Sequence, residues 1–185
     1  IEVGAGPVQV AYAPDGRTAY ATLGGAGAVV KIDLAARRVV GRVEVDPRPV
    51  QLAVTPDGAL LVVASQGTQA APGDTVALIG TDSMRIENVI ATGAGPHGVA
   101  IDPSGRQAFV TDVWAGDVAV IDLVERRVVD RIAVGGEPNG VSFSRRSQLH
   151  ARGAANMDSP RVVVLPLGGR TDGGGAAGGG SHGHH

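Results

Sequence analysis

Residues 96–135 read PHGVAIDPSGRQAFVTDVWAGDVAVIDLVERRVVDRIAVG. Four short runs rich in Val, Ile and Ala lie in this stretch, at Val99–Asp102, Gln107–Asp112, Val118–Leu123 and Val128–Val134. Between the first two sits Pro103-Ser104-Gly105, in which proline presets φ and glycine accepts the left-handed position of a turn. Every connection is too short for a helix, so the stretch predicts an up-and-down meander of four antiparallel strands.

The same pattern recurs on both sides. GAGPVQVAYAPDGR, DPRPVQLAVTPDGA and GGEPNGVSFSRRSQ align with the stretch above on Pro7, Pro49, Pro96 and Pro138, in steps of 42, 47 and 42 residues. A period near 40 built of strands predicts an all-β chain, a β-propeller of four-stranded antiparallel blades arranged radially. About four blades fit into residues 1–167, with units near 5–46, 47–93, 94–135 and 136–167. The first unit reads as strands at Val8–Ala13, Arg17–Thr22, Ala28–Leu34 and Val39–Val45, with Pro14-Asp15-Gly16 as its first turn. The second keeps Pro56-Asp57-Gly58 and inserts five residues within Gln66–Asp74, between its second and third strands. The fourth decays. Val141–Ser144 and Arg161–Leu167 read as strands, Arg145-Arg146-Ser147 replaces the turn, and His150–Asp158 lacks alternation.

Ile1-Glu2-Val3 aligns with Val43-Glu44-Val45 and Ile132-Ala133-Val134, which predicts an outermost strand that pairs with the end of the repeats and closes the ring. Four blades is at the small end for propellers, so a fragment or half of a larger ring, or self-association with a second copy, is the accompanying expectation. Residues 168–185 are rich in Gly and Ala and end in SHGHH, a composition that predicts a disordered tail.

Composition narrows the function classes. The 185 residues carry a net charge of −2, which gives no general attraction to nucleic acid or to an acidic membrane. The Arg-Arg pairs at 37–38 and 126–127 fall at equivalent repeat positions and read as solvated turns. There is no cysteine, so disulfides contribute nothing. No run of about 18 apolar residues is present to span a membrane. The chain starts at Ile1, which is expected of a processed chain or of a piece of a longer protein.

In a meander blade the entry to the first strand and the link between the second and third lie at one end. Gln9, Gln51, His97 and Asn139 are therefore expected to share a face with Asp112, Trp114 and the 66–74 insertion, and to form the ligand-binding ring at the channel mouth. The Pro-Asp-Gly turns lie at the other end. Trp114, the sole tryptophan, is expected either between blades or as an exposed anchor. Asp33 and Asp122 end third strands at equivalent positions, which predicts carboxylates accepting turn N–H groups. His182, His184 and His185 form a short tract suited to Cu, Ni or Zn through neutral imidazoles, to which His150 and Met157 could add.

The segments YATL at Tyr20–Leu23 and FVTD at Phe109–Asp112, the PDGR turn, and KIDL and VIDL ending at Leu34 and Leu123 resemble the YVTN-type β-propeller repeats of bacterial and archaeal proteins. Residues 1–144 match the repeat in register. The family's final Asn is replaced by Leu23, Ser65 and Asp112, and the second unit reads VVAS. The resemblance implies a periplasmic, cell-surface or secreted protein. Related propellers include lactonases, the heavy chain of amine dehydrogenases and the haem domain of a nitrite reductase.

Three functions follow. The first is a non-enzymatic binding or scaffold propeller with no required cofactor, engaging a protein or small-molecule ligand through its loop-bearing face. The second is a metal-binding accessory protein using the histidine tail. The third is a lactonase-like or cofactor-bearing oxidoreductase propeller, for which Asn139 and Asp112 are the available ligands beside His97.

Overall fold

A computed structural model describes residues 1–144 and 161–166. Among the described residues, three complete four-stranded sheets and one two-stranded sheet follow one another. Blade 1 contains β1 (Pro7–Tyr12), β2 (Thr18–Leu23), β3 (Ala28–Asp33) and β4 (Arg38–Glu44). Blade 2 contains β5 (Pro49–Val54), β6 (Leu60–Gly67), β7 (Pro72–Gly80) and β8 (Arg85–Ala91). Blade 3 contains β9 (Pro96–Ile101), β10 (Gln107–Asp112), β11 (Asp117–Asp122) and β12 (Arg127–Ala133). β13 (Pro138–Ser144) and β14 (Arg161–Pro166) pair with each other. In every sheet the strands lie in sequence order and pair antiparallel, as short turns require. Among the described residues no helix is long and apolar enough to cross a membrane.

The turns form for local reasons. In blade 1 the Asp15 carboxylate accepts the N–H groups of Arg17 and Thr18, which holds it below its usual range, and Gly16 takes φ 64°. Asp57 accepts from Ala59 in blade 2. In blade 3, where Ser104 occupies the turn position, Asp102 accepts the N–H groups of Ser104, Arg106 and Gln107 from two residues earlier. Asp33 caps Ala36, and Asp122 caps Val124 and Glu125, the role their repetition implies. The residue before each anchor proline, whether Gly6, Arg48, Gly95 or Glu137, has positive φ. A bend that two non-glycines also adopt belongs to the architecture.

Strand alternation supplies two apolar faces per blade, and each buries one against its neighbour. Tyr20 and Val29 of blade 1 meet Leu52, Leu61, Val63, Ala77 and Ile79 of blade 2. Val62, Val76, Leu78 and Ile90 of blade 2 meet Ala108, Val110, Ile121 and Leu123 of blade 3. Phe109, Val118 and Val120 of blade 3 meet Val141 and Phe143 of β13, with the Phe109 and Phe143 rings edge to face at 4.9 Å. The inner strands β1, β5, β9 and β13 pack in succession.

The inner strands are also joined by hydrogen bonds. Each is bulged at its start, so one N–H there leaves its own ladder. In blade 1 that N–H, from Gln9, donates to the Thr22 hydroxyl at 3.1 Å, and Thr22 donates onward to the Val50 carbonyl of β5 at 2.8 Å. In blade 3 the Gly98 N–H donates to Thr111 at 2.7 Å, and Thr111 reaches the Asn139 carbonyl of β13 at 3.4 Å. Both threonines are fully buried. Blade 2 has Ala64 at this position. Glutamine makes a second bridge: Gln9 Oε1 accepts from Leu52 N at 2.6 Å, and Gln51 Oε1 from Val99 N at 3.4 Å.

The structure departs from expectation at the start of the repeats. Ile1–Val3 forms no strand; Val3 packs on the face of blade 1 formed by Ala19, Ala21, Leu23, Val30 and Ile32. The ladder of β14 runs to β13, so among the described residues the expected first-to-last closure is not made. The decayed stretch from Arg145 to Pro160 lies outside the described residues, as does 167–185.

Replacing Phe109 with Ala is expected to cost roughly 3–5 kcal/mol in urea unfolding, since it empties the seam between blade 3 and β13. Replacing Thr111 with Val keeps the shape and orphans a buried N–H, with an expected cost of about 1–3 kcal/mol. A Thr111→Val protein as stable as the parent would remove the hydroxyl bridge from the account.

Candidate functional site

The ladders fix which residues share an end. Pro7 pairs with Leu23, Pro49 with Ser65, Pro96 with Asp112, and Gly67 with Pro72. The entries to the inner strands therefore lie at the same end as the β6–β7 and β10–β11 hairpins, opposite the Pro-Asp-Gly turns. The five-residue insertion lengthens the β6–β7 hairpin, whose tip is closed by bonds between Thr68 and Ala71.

The expected ligand ring divides into two groups at this end. Gln9 and Gln51 use their side-chain oxygens on the next inner strand, as described above. His97 Nδ1 lies 2.8 Å from the Asn139 carbonyl, which makes it the protonated nitrogen. Burial lowers the His97 pKa against the opposing effect of that bond, so the neutral ring is favoured. Asn139 enters through its backbone carbonyl, shared by His97 and Thr111. These four residues thus hold the inner strands together.

Asp112 and Trp114 belong to the second group, further out on blade 3. Asp112 is fully buried. Its Oδ2 accepts the Gly93 N–H at 2.8 Å and lies 3.4 Å from Arg131 Nη1, which reaches Asp117 Oδ2 at 3.2 Å. Arg131 Nη2 also donates to the Thr92 carbonyl at 2.8 Å. Asp112 and Asp117 face each other across the β10–β11 ladder, and Oδ1 of each is buried without a partner. Burial above all pushes the Asp112 carboxyl up to about 6; Thr92, Gly93 and Arg131 oppose the rise, and the Asp117 charge adds to it. The same cross-strand position holds Leu23 and Ala28 in blade 1, and Ser65 and Thr75 in blade 2. Blade 3 thus replaces an apolar or hydroxyl pair by two carboxylates and one guanidinium, which pin the link between blades 2 and 3.

That link carries Gly95 beneath the Trp114 ring. Gly95 has φ +76°, and a Cβ there would fall inside the ring's van der Waals envelope, so glycine is required for conformation and for space. Trp114 N and Ala115 N both donate to the Ala94 carbonyl. Trp114 is half-buried, and with Val113, Gln69 and Pro72 of the hairpin tip and Ala133, Gly135, Gly136 and Glu137 it lines an open cleft of about 660 Å³. The structure brings Trp114 together with the insertion, and puts Asp112 behind it rather than in the cleft. Gln69 and Pro72 belong to the 66–74 insertion expected on this face, whereas Asp117 and Arg131 are not among the residues the sequence marks for the site. The signal for Asp117 was that it and Asp112 depart from the repeat at paired positions. Among the described residues no group of three or more His, Cys, Asp or Glu side chains converges to hold a metal ion. His150, Met157, His182, His184 and His185 lie outside the described residues.

Residues 1–148 match the family described as YNCE-like beta-propeller. Over 81 residues the chain is 32% identical to the seven-bladed beta-propeller protein Rv1057 of Mycobacterium tuberculosis, an alignment covering 42% of this chain and 19% of that protein. Among solved structures, hydrazine synthase of Kuenenia stuttgartiensis superposes with a TM-score of 0.70 at 28% identity, over 76% of this chain and 39% of that one. Dihydro-heme d1 dehydrogenase NirN superposes with a TM-score of 0.60 at 22% identity, over 76% of this chain and 30% of that one, a likeness of fold. The chain thus spans well under half the length of each of these proteins.

The raised Asp112 pKa fixes a sign. The native state holds this proton more tightly than the unfolded chain, whose carboxyl has the ordinary value of 3.8, so stability falls as pH rises from there through about 6. Asp112→Asn is expected to flatten urea-unfolding stability over that window. Loss of the same slope in Glu44→Gln, an exposed carboxylate in blade 1, would assign it elsewhere.

Proposed function

The chain belongs to the YNCE-like β-propeller family, and from that premise we propose that it is a non-enzymatic binding or scaffold propeller that engages its partner through the cleft beside Trp114. The observation that carries this reading is the half-buried indole on the rim of an open cleft of about 660 Å³. A tryptophan with one flank packed and the other available offers a large contact area at little entropic cost, the usual character of an interface anchor. Pro72 and Val113 extend the apolar floor, while Gln69 and Glu137 supply polar groups at the rim. An open cleft of this shape suits a polypeptide segment better than a molecule that must be enclosed. The ion pairs of Arg131 behind it keep Gly95 and the indole in place, so the surface is formed before the partner arrives. The resemblance to exported repeat proteins supports action outside the cytoplasm as part of the same proposal.

Three of the chain's five histidines lie in its last four residues, and this favours a second reading in which His182, His184 and His185 capture Cu, Ni or Zn. Calorimetric titration of the chain beside one ending at Leu167 separates the two: heat lost with the tail supports capture there, and equal heat in both excludes it.

For the principal reading, the sole tryptophan reports on the cleft directly. A partner recovered by the parent chain is expected to shift Trp114 emission, and Trp114→Ala is expected to weaken its binding by about 2 kcal/mol or more. Arg17→Ala, at the opposite end of blade 1, is expected to leave binding unchanged. Equal affinity for the parent and Trp114→Ala chains would contradict the reading.

A further inference from the structure

Asp112 and Asp117 face each other across the β10–β11 ladder, at the position where blade 2 has Ser65 and Thr75. In blade 2 both hydroxyls hold the link that enters the blade: Ser65 donates to the Asp46 carbonyl at 3.3 Å, and Thr75 to the Asp46 carboxylate. The equivalent link into blade 3 begins at Gly93, whose N–H donates to Asp112 Oδ2. The same link is thus anchored by two different chemistries. A hydroxyl keeps its proton at any ordinary pH, and a carboxyl does not.

The oxygens of the blade 3 pair divide by role. Both Oδ2 atoms are turned to donors: Asp112 Oδ2 to Gly93 and to Arg131 Nη1 at 3.4 Å, Asp117 Oδ2 to the same nitrogen at 3.2 Å. Both Oδ1 atoms are buried and, among the described residues, without a partner. Two ionised carboxylates against one guanidinium leave an unbalanced negative charge largely out of water, which is costly. One proton between the Oδ1 atoms removes that charge and gives each orphaned oxygen a partner. No charge on the neighbouring elements does this. The β8–β9 link brings Thr92 and no charged residue. Asp74 of β7 meets the link through its carbonyl, which accepts the Thr92 N–H, and is itself exposed. His97 of β9 is turned to the Asn139 carbonyl, and Glu137, exposed at the cleft, would only add to the excess.

We propose that Asp112 and Asp117 share one proton through their Oδ1 atoms, and that this proton is a pH-operated latch on the β8–β9 link and the indole it holds. With the proton bound, the pair carries one charge, matched by Arg131. The link is then held at the Gly93 N–H by Asp112 and at the Thr92 carbonyl by Arg131. When the proton leaves, the facing carboxylates repel, and their separation draws these bonds apart. The Ala94 carbonyl, which accepts the N–H groups of Trp114 and Ala115, moves with the link. Burial pushes the Asp112 carboxyl up to about 6, so the latch is closed below that pH and loosened above it. The sign follows from linkage: a folded-state value raised above 3.8 stabilises at low pH, and the contribution is lost as pH rises through about 6. The proton site stands apart from any partner; its control of the Trp114 cleft rests on the binding reading above.

Carbon NMR of the aspartate carboxyls in the unaltered chain reads the proton directly. The Asp112 and Asp117 resonances are expected to move together, each by part of the full amplitude, with one midpoint near 6. Amide exchange, expressed as protection against the intrinsic rate at each pH, reads the latch. The Val113 N–H, bonded to the Gly95 carbonyl, is expected to lose protection at least about fivefold between about pH 5 and about pH 7. The Gln66 N–H, bonded to the Arg48 carbonyl at the matching place in blade 2, is expected to keep its own. In Asp117→Asn the new amide can donate to Asp112 Oδ1 with no proton to lose, so both changes are expected to vanish from that window. Should Asp117→Asn fail to fold, the two resonances of the unaltered chain decide. An Asp117 resonance that titrates by itself, or an Asp112 midpoint unchanged in Asp117→Asn, would overturn the shared proton. A midpoint lowered by calcium would overturn it too, by putting a cation between the oxygens. Equal loss of protection at Val113 and Gln66 would overturn the latch. None of these readouts uses a partner, so they are separate from the test of binding at the cleft.

Discussion

A buried N–H that leaves its own ladder must find another acceptor, and the rest of this structure depends on where the bulged inner strands find theirs. In blades 1 and 3 the acceptor is a threonine hydroxyl that then donates to the next blade's inner strand. One side chain thereby ends the penalty of an orphaned amide and sets the register between two sheets. Glutamine oxygens repeat the device at Leu52 and Val99. Apolar burial supplies most of the attraction between blades, but it is non-directional. The hydrogen bonds determine how far one sheet slides along the next, and with it which loops meet at the end of the stack.

The seam between blades 2 and 3 lacks the threonine, because Ala64 stands at its position. It is also the seam that carries the ion-paired cluster of Asp112, Asp117 and Arg131 and the longer hairpin of blade 2. The fixed point has moved outward, from the inner strand to the link that holds Gly95 under Trp114. A buried carboxylate pushed up to about 6 is a costly way to anchor a loop. It sits where blade 3 departs from the other two complete blades at paired positions, and the candidate cleft opens beside it. Repeats supply the platform, and departures from the repeat supply the site.

Much of the architecture could be read from the period and its turns. Tyr20 and Phe109 are recognisable as the large side chains of second strands, and they are buried between blades. The roles of Asp33 and Asp122 follow from their repetition. Thr22 and Thr111 were visible as recurring letters, but a hydroxyl bridging two sheets depends on an inter-sheet register that no single strand encodes. For the same reason the bonds of Gln9, Gln51 and His97 to the next inner strand are not legible in any one strand. Asp112 and Asp117 become one cluster only once the β10–β11 register is known, since four residues lie between them along the chain. Ile1–Val3 carries the alternation of an outer strand, but alternation fixes sidedness and not pairing, and Val3 instead packs on blade 1.

The central claim is that each blade is held by its neighbours through the inner strands. Native-state hydrogen exchange, read strand by strand at high dilution, tests it most directly. β5 and β9, with a neighbour on both flanks, should exchange only through global unfolding, while β1, with one flank uncovered, should open locally at lower free energy. Protection in β1 equal to that in β5 under the same dilution would contradict the account.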